Sequence, residues 1–447
     1  MNQIETAISL SEQVKSRWNE LQKSSSTGTQ EAERRKQAFD QFRLQGFPGT
    51  KNEDWKYTDV HKILDIPYAW PVRTEQELSE QAFEALPFTH PEDAYRMVFI
   101  NGHYAASLSG LPSAVQGCAV RSMREASREK AFVDHFGQVA PAASGFVSLN
   151  TALHTDGAFI SLEPGMSLDK PLFLYYVAQG EQEAYFVQPR NLIVLGDKAQ
   201  ARIIEVFVSA GEEPTFTNIV TEITVGAAAQ LDYTKLQTES HQNYHIGTTQ
   251  IRQGRDAKVD THILSLDGAF IRNNLNFQMT DKNSTAILNG LYLLHNDQFL
   301  DNHTEVDHAV PGCLSDQLYK GIIDDKATGV FNGKILVRQD AQKTNAYQRN
   351  VNILLSDDAS VNTKPQLEIF ADDVRCTHGA TTGYLNDEAV FYLRSRGIGE
   401  REARLLLMNA FAGEIIDKLN VESLKQPLMD MIAEKLRNQS SSDAVRS

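Results

Sequence analysis

A cysteine and a histidine stand two residues apart in the stretch VRCTHGATTGYLNDEAVFYLRSRGI, residues 374–398. If this stretch opens with a strand, Cys376 and His378 share one face and Thr377 lies on the other, because side chains alternate along a strand. A thiolate and an imidazole suit iron, zinc or a sulfur-transfer step. Two ligands make no closed metal site, and an iron–sulfur cluster usually needs about four. The spacing alone therefore favours a structural pair, and a cluster would require a partner chain.

Other histidines have weaker patterns. In HTEVDH, His303 and His308 are five residues apart with two carboxylates between them. An odd separation on a strand points the two rings to opposite faces, which favours a structural or surface role over a two-histidine, one-carboxylate metal site. His241 and His245 stand in the polar stretch HQNYH. We expect both of these to be solvated.

Paired carboxylates recur in the second half of the chain. Such pairs on a β-helix are typical of polysaccharide hydrolases, in which one carboxyl acts as acid and the other as base. These pairs coincide with repeated turns, where aspartate makes local backbone hydrogen bonds, so we favour the structural role. The pairs are Asp324 with Asp325, Asp357 with Asp358, and Asp372 with Asp373.

Composition and motifs exclude several function classes. The chain has 447 residues, 41% hydrophobic, a formal net charge of −15 and a pI near 5.3. This acidity argues against nucleic acid or an anionic membrane as the main partner. There is no signal-peptide pattern and no run of about 18 apolar residues, so we expect a cytoplasmic protein. Three cysteines without C-x-x-C spacing predict no disulfide framework.

A phosphate-binding loop is also missing from the sequence. NGKI, at Asn332–Ile335, has no glycine five residues before Gly333, and Ile335 replaces the Ser or Thr that would hold magnesium. We therefore predict a chain that is not an ATPase and has no complete catalytic site.

The first 140 residues, 1–140, have apolar residues at helical spacing. The second helix should stop at Gly46, with Pro48 beyond it. The face of the first predicted helix carries Ile4, Ile8, Val14, Trp18 and Leu21, and that of the second carries Ala38, Phe39 and Phe42.

The middle of the chain, 141–383, alternates β-branched and polar residues. A small turn recurs, first as GDKAQ, GAAAQ and GRDAK and later as DDKAT, RQDAQ and SDDAS. The aligned alanines lie 30 and 28 residues apart in the first group, and 14 and 18 residues apart in the second. A short period or about twice it indicates stacked coils with small residues at the corners. We therefore predict a mainly β fold with a right-handed parallel β-helix core, although a sandwich or barrel would show similar strands and turns.

The last part of the chain becomes helical again. In 384–437 we predict a helix capped by Asn386 or Asp387 and stopped by Gly397. The tail, 438–447, should be disordered. The next helix has apolar residues spaced by four, namely Ala403, Leu407, Phe411 and Ile415.

Long segments of this sequence resemble the SufD branch of the SufB/SufD family of iron–sulfur cluster assembly subunits. The longest is 338–398, and the resemblance extends over nearly the whole chain. CTHGATTG favours this branch, because the SufB counterpart carries a glutamate after the histidine and a further upstream cysteine, where this chain has QLEIFADD. The other segments are EDWKYT at 53–58, DNHTEVDH at 301–308 and YKGIIDDKATGVFNGKILV at 319–337.

The resemblance implies a β-helix flanked by helical regions, in a complex with SufB and the ATPase SufC. His378, as a metal ligand, and Cys376 would lie at the SufB interface, where an iron–sulfur cluster is held transiently and shared with SufB. The C-terminal helices, represented by Leu407, Phe411 and Ile415, would dock SufC. A homodimer of the isolated chain and a reduced flavin in the complex are possible by resemblance. A purely structural adaptor is the alternative function.

Overall fold

The computed structural model describes residues 9–24, 30–72, 78–89, 93–112, 116–140, 144–180 and 182–446. Ile4 and Ile8 of the first predicted helix lie outside these residues. The helices are α1 (Leu10–Ser24), α2 (Gln30–Gln45), α3 (His61–Leu64), α4 (Glu80–Glu84), α5 (Met123–Ala126), α6 (Lys130–His135), α7 (Gly145–Leu153), α8 (Asp387–Ser395), α9 (Glu400–Ile416) and α10 (Glu422–Arg446).

Strands make up the centre of the molecule. They are β1 (Tyr95–Ile100), β2 (His103–Tyr104), β3 (Cys118–Ser122), β4 (Ala158–Leu162), β5 (Leu172–Ala178), β6 (Tyr185–Val187), β7 (Arg190–Leu195), β8 (Gln200–Ser209), β9 (Thr215–Val225), β10 (Gln230–Thr238), β11 (Tyr244–Gln253), β12 (Lys258–Asp267), β13 (Phe270–Met279), β14 (Thr285–Leu294), β15 (Phe299–His308), β16 (Leu314–Ile323), β17 (Thr328–Val337), β18 (Asn345–Leu354), β19 (Ser360–Ile369) and β20 (Arg375–Tyr384).

From β7 to β20, successive strands alternate between two sheets, so the chain winds as a solenoid. Sheet I has the order β2-β1-β5-β8-β10-β12-β14-β16-β18-β20, and sheet II has the order β3-β4-β7-β9-β11-β13-β15-β17-β19. From β7 onward, neighbours in each sheet are parallel. The chain is mainly β, with 41% strand and 26% helix, and forms a β-solenoid of about 8 turns. The predicted solenoid with helices at both ends is confirmed.

The recurring alanine turns are the corners of the coils. Gln230 pairs with Lys258 on the next coil, 28 residues later. The residues just before these strand starts, Ala229 and Ala257, are 0% and 1% exposed, and each follows a residue with positive φ, as at Asp256 with φ of 56°. A small side chain fits inside the corner where a larger one would prevent the next coil from stacking, which explains the repeat seen in the sequence.

The solenoid interior combines an apolar core with buried polar side chains. Alternation along each strand directs every second residue inward, and Ile203, Tyr233 and Phe331 belong to one interior cluster. Glu205 and Lys235 are register partners, 0% and 2% exposed, with the Lys235 amine 3.5 Å from the Glu205 carboxylate. Such buried charges are tolerated because they face each other.

The N-terminal region packs against the outer face of sheet II and is not purely helical. Tyr95–Ile100 forms β1, which pairs with β5 and extends sheet I; this strand was not predicted, because its apolar run is too short to separate from a helix by periodicity. Arg190 and Glu222 form a buried ion pair, both 0% exposed. The Glu222 carboxylate also accepts hydrogen bonds from the backbone N–H groups of Gly137, Val139 and Ala140, with N–O distances of 2.9–3.0 Å.

The C-terminal helices cover the outer face of sheet I. Lys320 on β16 reaches α9, where its amine donates to Phe411 O at 2.8 Å and to Glu414 Oε2 at 2.6 Å. Asn386 caps α8 by accepting from the Ala389 N–H at 3.1 Å, as predicted. Helix α10 runs from Glu422 to Arg446 and contains Pro427 near its beginning. Among the residues described, no helix is long and apolar enough to cross a membrane.

Candidate functional site

The last coil of the solenoid, formed by β19 and β20, has no further coil stacked on it. These strands are the outermost members of sheet II and sheet I. Most of their residues are exposed or half-buried, whereas the strands two coils earlier are mostly buried. Residues that point into the solenoid elsewhere are therefore open to solvent at this end.

Cys376 and His378 lie on this open coil and on the same side of β20. They are register partners of Ala346 and Gln348 on β18, which point into the interior and are 0% and 1% exposed. His378 is exposed, while Cys376 is half-buried and packs against a small apolar cluster. The structure thus gives the pair the common face that the two-residue spacing predicted.

The Cys376 thiol is held mainly in its protonated form. Partial burial raises the pKa of this thiol above its ordinary value, against a smaller opposing contribution from a hydrogen bond with the Ala346 backbone. A thiol must be deprotonated to bind metal or attack sulfur. Cys376 would therefore have to lose its proton before it could bind metal.

The backbone of β20 presents a free edge. Arg375 donates its N–H to Thr344 O at 2.9 Å, towards β18. Because the polar backbone groups of successive strand residues alternate in direction, the residues with even numbers turn their N–H and C=O groups away from β18. These residues are Cys376, His378, Ala380, Thr382 and Tyr384. The edge is free of proline, so it is suited to pairing with another strand.

The edge of β19 differs in one residue. Ser360 and Phe370 donate to Ala327 O and Val337 O on the side of β17, so residues with odd numbers face outward. Pro365 is one of these, and it has no N–H to offer a partner strand. The open end of the solenoid therefore has one edge suited to strand pairing and one edge interrupted at its centre.

Comparison with known proteins identifies the family. The family described as the SufBD core domain of SUF-system FeS cluster assembly matches residues 176–411, and the SufBD protein N-terminal region matches residues 6–174. The chain belongs to the SufBD family. The core match covers the solenoid from β5 onward together with α8 and most of α9, including the open coil.

Two curated SufBD relatives cover nearly the whole chain. The iron–sulfur cluster assembly protein SufD of Escherichia coli is 34% identical over 92% of this chain and 94% of its own length. An iron–sulfur cluster assembly SufBD family protein of Synechocystis is 34% identical over 86% of this chain and 87% of its own length. Homology therefore assigns this chain a role in iron–sulfur cluster assembly.

Two SufBD segments singled out in the sequence meet on the outer face of sheet II. Thr58 Oγ1, from EDWKYT, donates to Asp301 Oδ2, and Arg272 Nη1 reaches the same oxygen at 2.5 Å. Burial opposes ionisation of Asp301, but Arg272, His303 and Thr58 together outweigh it and lower the pKa of this carboxyl. The Arg272 guanidinium stacks 3.7 Å from the Trp55 ring centre. This contact joins the N-terminal region to the solenoid.

The remaining histidines of the SufBD chain are dispersed. His303 Nε2 lies 3.2 Å from Asp301 Oδ1 on the outer face, in a cleft of about 280 Å³, whereas His308 points inward and meets Ser315 Oγ at 2.9 Å. The predicted opposite faces are confirmed. The expectation that His245 is solvated is wrong: it is 0% exposed and 2.9 Å from Glu239. β11 begins at Tyr244, so His245 is already inside the solenoid.

The paired aspartates of this SufBD chain stand in turns between strands, as at Asp357 and Asp372. Within the ranges that the structure describes, no three His, Cys, Asp or Glu side chains come together in a way that could hold a metal ion. A cluster at Cys376 and His378 would need ligands from another molecule.

The predicted docking residues of the SufBD chain differ in exposure. Leu407 and Phe411 are half-buried against the C-terminal apolar cluster, and Ile415 is 0% exposed. Ile415 holds α9 on sheet I and has no surface left for a partner. Among the side chains of these helices that the structure describes, the exposed large apolar ones are Phe391, Tyr392 and Leu406, at 72%, 58% and 44%. Helical periodicity does not predict them, because it marks the buried face.

Proposed function

We propose that this chain is a non-ATPase subunit of a SufBCD-type complex and pairs with a SufB-type subunit through the open end of its solenoid. The observation that carries the proposal is the uncapped β20, whose free edge bears both His378 and Cys376. Pairing would cover the interior face of the last coil and satisfy backbone groups that otherwise face solvent.

At that interface, iron and sulfide would assemble between His378 and thiolates of the SufB-type subunit. A cluster usually takes about four ligands, and β20 supplies two side chains of ligand type, so the remaining ligands would come from across the interface. The neutral imidazole of His378 suits iron as a ligand or as a brief holding point. Cys376, with its raised pKa, would take a secondary role.

We further propose that a SufC-type ATPase docks on α8, α9 and α10. When ATP binding brings two such ATPases together, these helices would move and carry sheet I with them. Lys320 supports this coupling, because its side chain is 6% exposed and its amine donates to two groups of α9. Moving α9 alone would leave that charge without partners in an apolar interface, which is costly.

The test of the cluster site is His378→Ala in the co-expressed three-subunit complex. We expect unchanged subunit stoichiometry, since an exposed side chain contributes little to folding, and loss of the visible absorbance of a bound cluster after anaerobic reconstitution. His241→Ala, a second exposed histidine far along the chain, is the matched control and should retain the cluster.

A structural adaptor is the alternative function, favoured by the protonated state of Cys376. It predicts that His378→Ala keeps both the complex and its cluster absorbance. That result would contradict the proposed chemical role of His378, but it would leave the proposed pairing through β20 unaffected. Loss of the complex itself in His378→Ala would contradict the assignment of His378 to chemistry rather than to assembly.

The test of ATPase docking is Leu406→Asp, because this side chain is apolar and exposed on α9. We expect the variant to fold normally. The amount of SufC-type ATPase recovered with it in a pull-down should fall about tenfold or more, since a charge would replace an apolar contact at an interface. Ile415→Asp is the contrasting variant and should unfold the C-terminal helices. Undiminished ATPase retention by folded Leu406→Asp would refute this docking surface.

A further inference from the structure

A short ladder of buried polar side chains runs inside the solenoid towards its open end. Gln317 Nε2 donates to Thr304 Oγ1 at 2.6 Å, and Gln348 Nε2 donates to Gln317 Oε1 at 2.9 Å. Gln317 and Gln348 are register partners on β16 and β18, each 1% exposed. Each acceptor in this ladder thus receives its hydrogen bond from a residue nearer to the open end.

The ladder ends on a buried acceptor. Gln348 Oε1 has no hydrogen-bond partner among the residues that the structure describes. With Gln317 Nε2 engaged on Thr304, turning the Gln348 amide alone would bring its oxygen against Gln317 Oε1. Gly333 makes room for the amide, since a Cβ at that position would lie 2.4 Å from Gln348 Nε2. Nε2 is engaged towards the preceding coil, and the next coil beyond Gln348 is that of β20.

The residue of β20 in register with Gln348 is His378. A neutral imidazole carries one N–H donor and one lone pair, and an exposed side chain changes rotamer easily. We propose that His378 donates its ring N–H to Gln348 Oε1, and that Gln348 thereby sets the tautomer and orientation of His378. The bond extends the ladder by one step and satisfies an acceptor whose isolation is otherwise costly.

This hydrogen bond would prepare His378 for metal. Histidines that bind metal commonly donate the other ring N–H to a fixed acceptor, which orients the ring and raises its basicity as a ligand. With one nitrogen bonded to Gln348, the lone pair of the other would face the open end. Gln348 is therefore a positioning residue that acts through His378. Its relevance to cluster assembly rests on the proposed function, but the hydrogen bond itself does not.

The experiment measures the tautomer of His378 in the full chain labelled with ¹⁵N in its histidine rings. Two-bond ¹H–¹⁵N correlation spectra separate the tautomers, and His378→Ala assigns the signal. We expect one dominant tautomer in the wild type. In Gln348→Met, a change of nearly equal volume, its ratio to the other form should fall about fivefold, as the loss of one ordinary hydrogen bond implies.

Asn350→Leu is the matched control. Asn350 is a buried amide two residues along β18 that bonds Tyr292 and Tyr319, and its register partner is Ala380. This variant should be destabilised to a similar degree while the His378 tautomer stays unchanged.

Two results would overturn the proposal. One is an unchanged tautomer ratio in Gln348→Met, and the other is an equal change in Asn350→Leu. If Gln348→Met does not fold, Gln317→Met frees the Gln348 amide to turn and should weaken the preference; an unaltered ratio there would again overturn it. Cluster loading plays no part in these spectra, so their outcome is separate from that of His378→Ala in the complex.

Discussion

Replacing Glu222 with alanine is expected to lower the free energy of unfolding by roughly 3–5 kcal/mol, the usual range for breaking a buried ion pair. Arg190 and Glu222 are both 0% exposed, and removal of the carboxylate leaves the guanidinium buried without its counter-charge. Three backbone N–H groups between Gly137 and Ala140 lose their acceptor as well. Urea unfolding followed by circular dichroism measures the change.

Glu368→Ala is the matched control for this prediction. Its carboxylate pairs with Lys334 at 3.3 Å, but the two side chains are 45% and 31% exposed. An exposed pair is worth about 0–1 kcal/mol, so this variant should unfold almost as the wild type does. A loss below about 1 kcal/mol in Glu222→Ala would contradict the prediction.

Acidification is expected to destabilise the chain between about pH 6.5 and pH 4. Burial lowers the pKa of His262 and of His308 to about 4 from the ordinary 6.5. In this window the unfolded chain binds protons that the folded chain does not, so stability is complete above 6.5 and falls as the pH falls. The change is roughly 3 kcal/mol for each histidine over the full window, at about 1.4 kcal/mol per pKa unit.

The variant that isolates this effect is His308→Asn. It should lose about half of the pH dependence contributed by the two histidines, measured as urea midpoints at neutral pH and near pH 4.5. Burial raises the pKa values of Asp156 and Asp232. In the wild type and in His308→Asn alike, these two groups therefore oppose the loss of stability at the acidic end of the window. His241→Asn, at an exposed site, should leave the profile unchanged. A profile identical in His308→Asn and the wild type would contradict the prediction.

Much of the fold was predictable because a solenoid repeats its corners. Ala229 and Ala257 appear in the sequence at a spacing close to one coil, and the register of β10 with β12 reproduces that spacing. The strand β1 was not predictable, since its six residues extend a sheet only because β5 lies beside it. The burial of His245 depended in the same way on which residue begins β11.

The sequence was sufficient to predict that Cys376 and His378 form a pair, but not what surrounds them in the fold. Alternation along a strand was sufficient to put Cys376 and His378 on one face. The direction of that face depends on the stacking register with Ala346 and Gln348, which joins residues 30 positions apart. The role of Pro365 likewise depends on whether its nitrogen faces β17 or the open edge, and sequence spacing alone does not distinguish the two.

The uncapped coil has a thermodynamic consequence. In a solenoid, each coil is stabilised by its own contacts and by its nearest neighbours. The coil of β19 and β20 has a neighbour on one side only, so it has the lowest local cooperativity of the stack and should exchange its amide hydrogens first. A partner that adds a second neighbour would therefore slow this exchange, and the folding of the coil that bears His378 would be coupled to the occupancy of the interface.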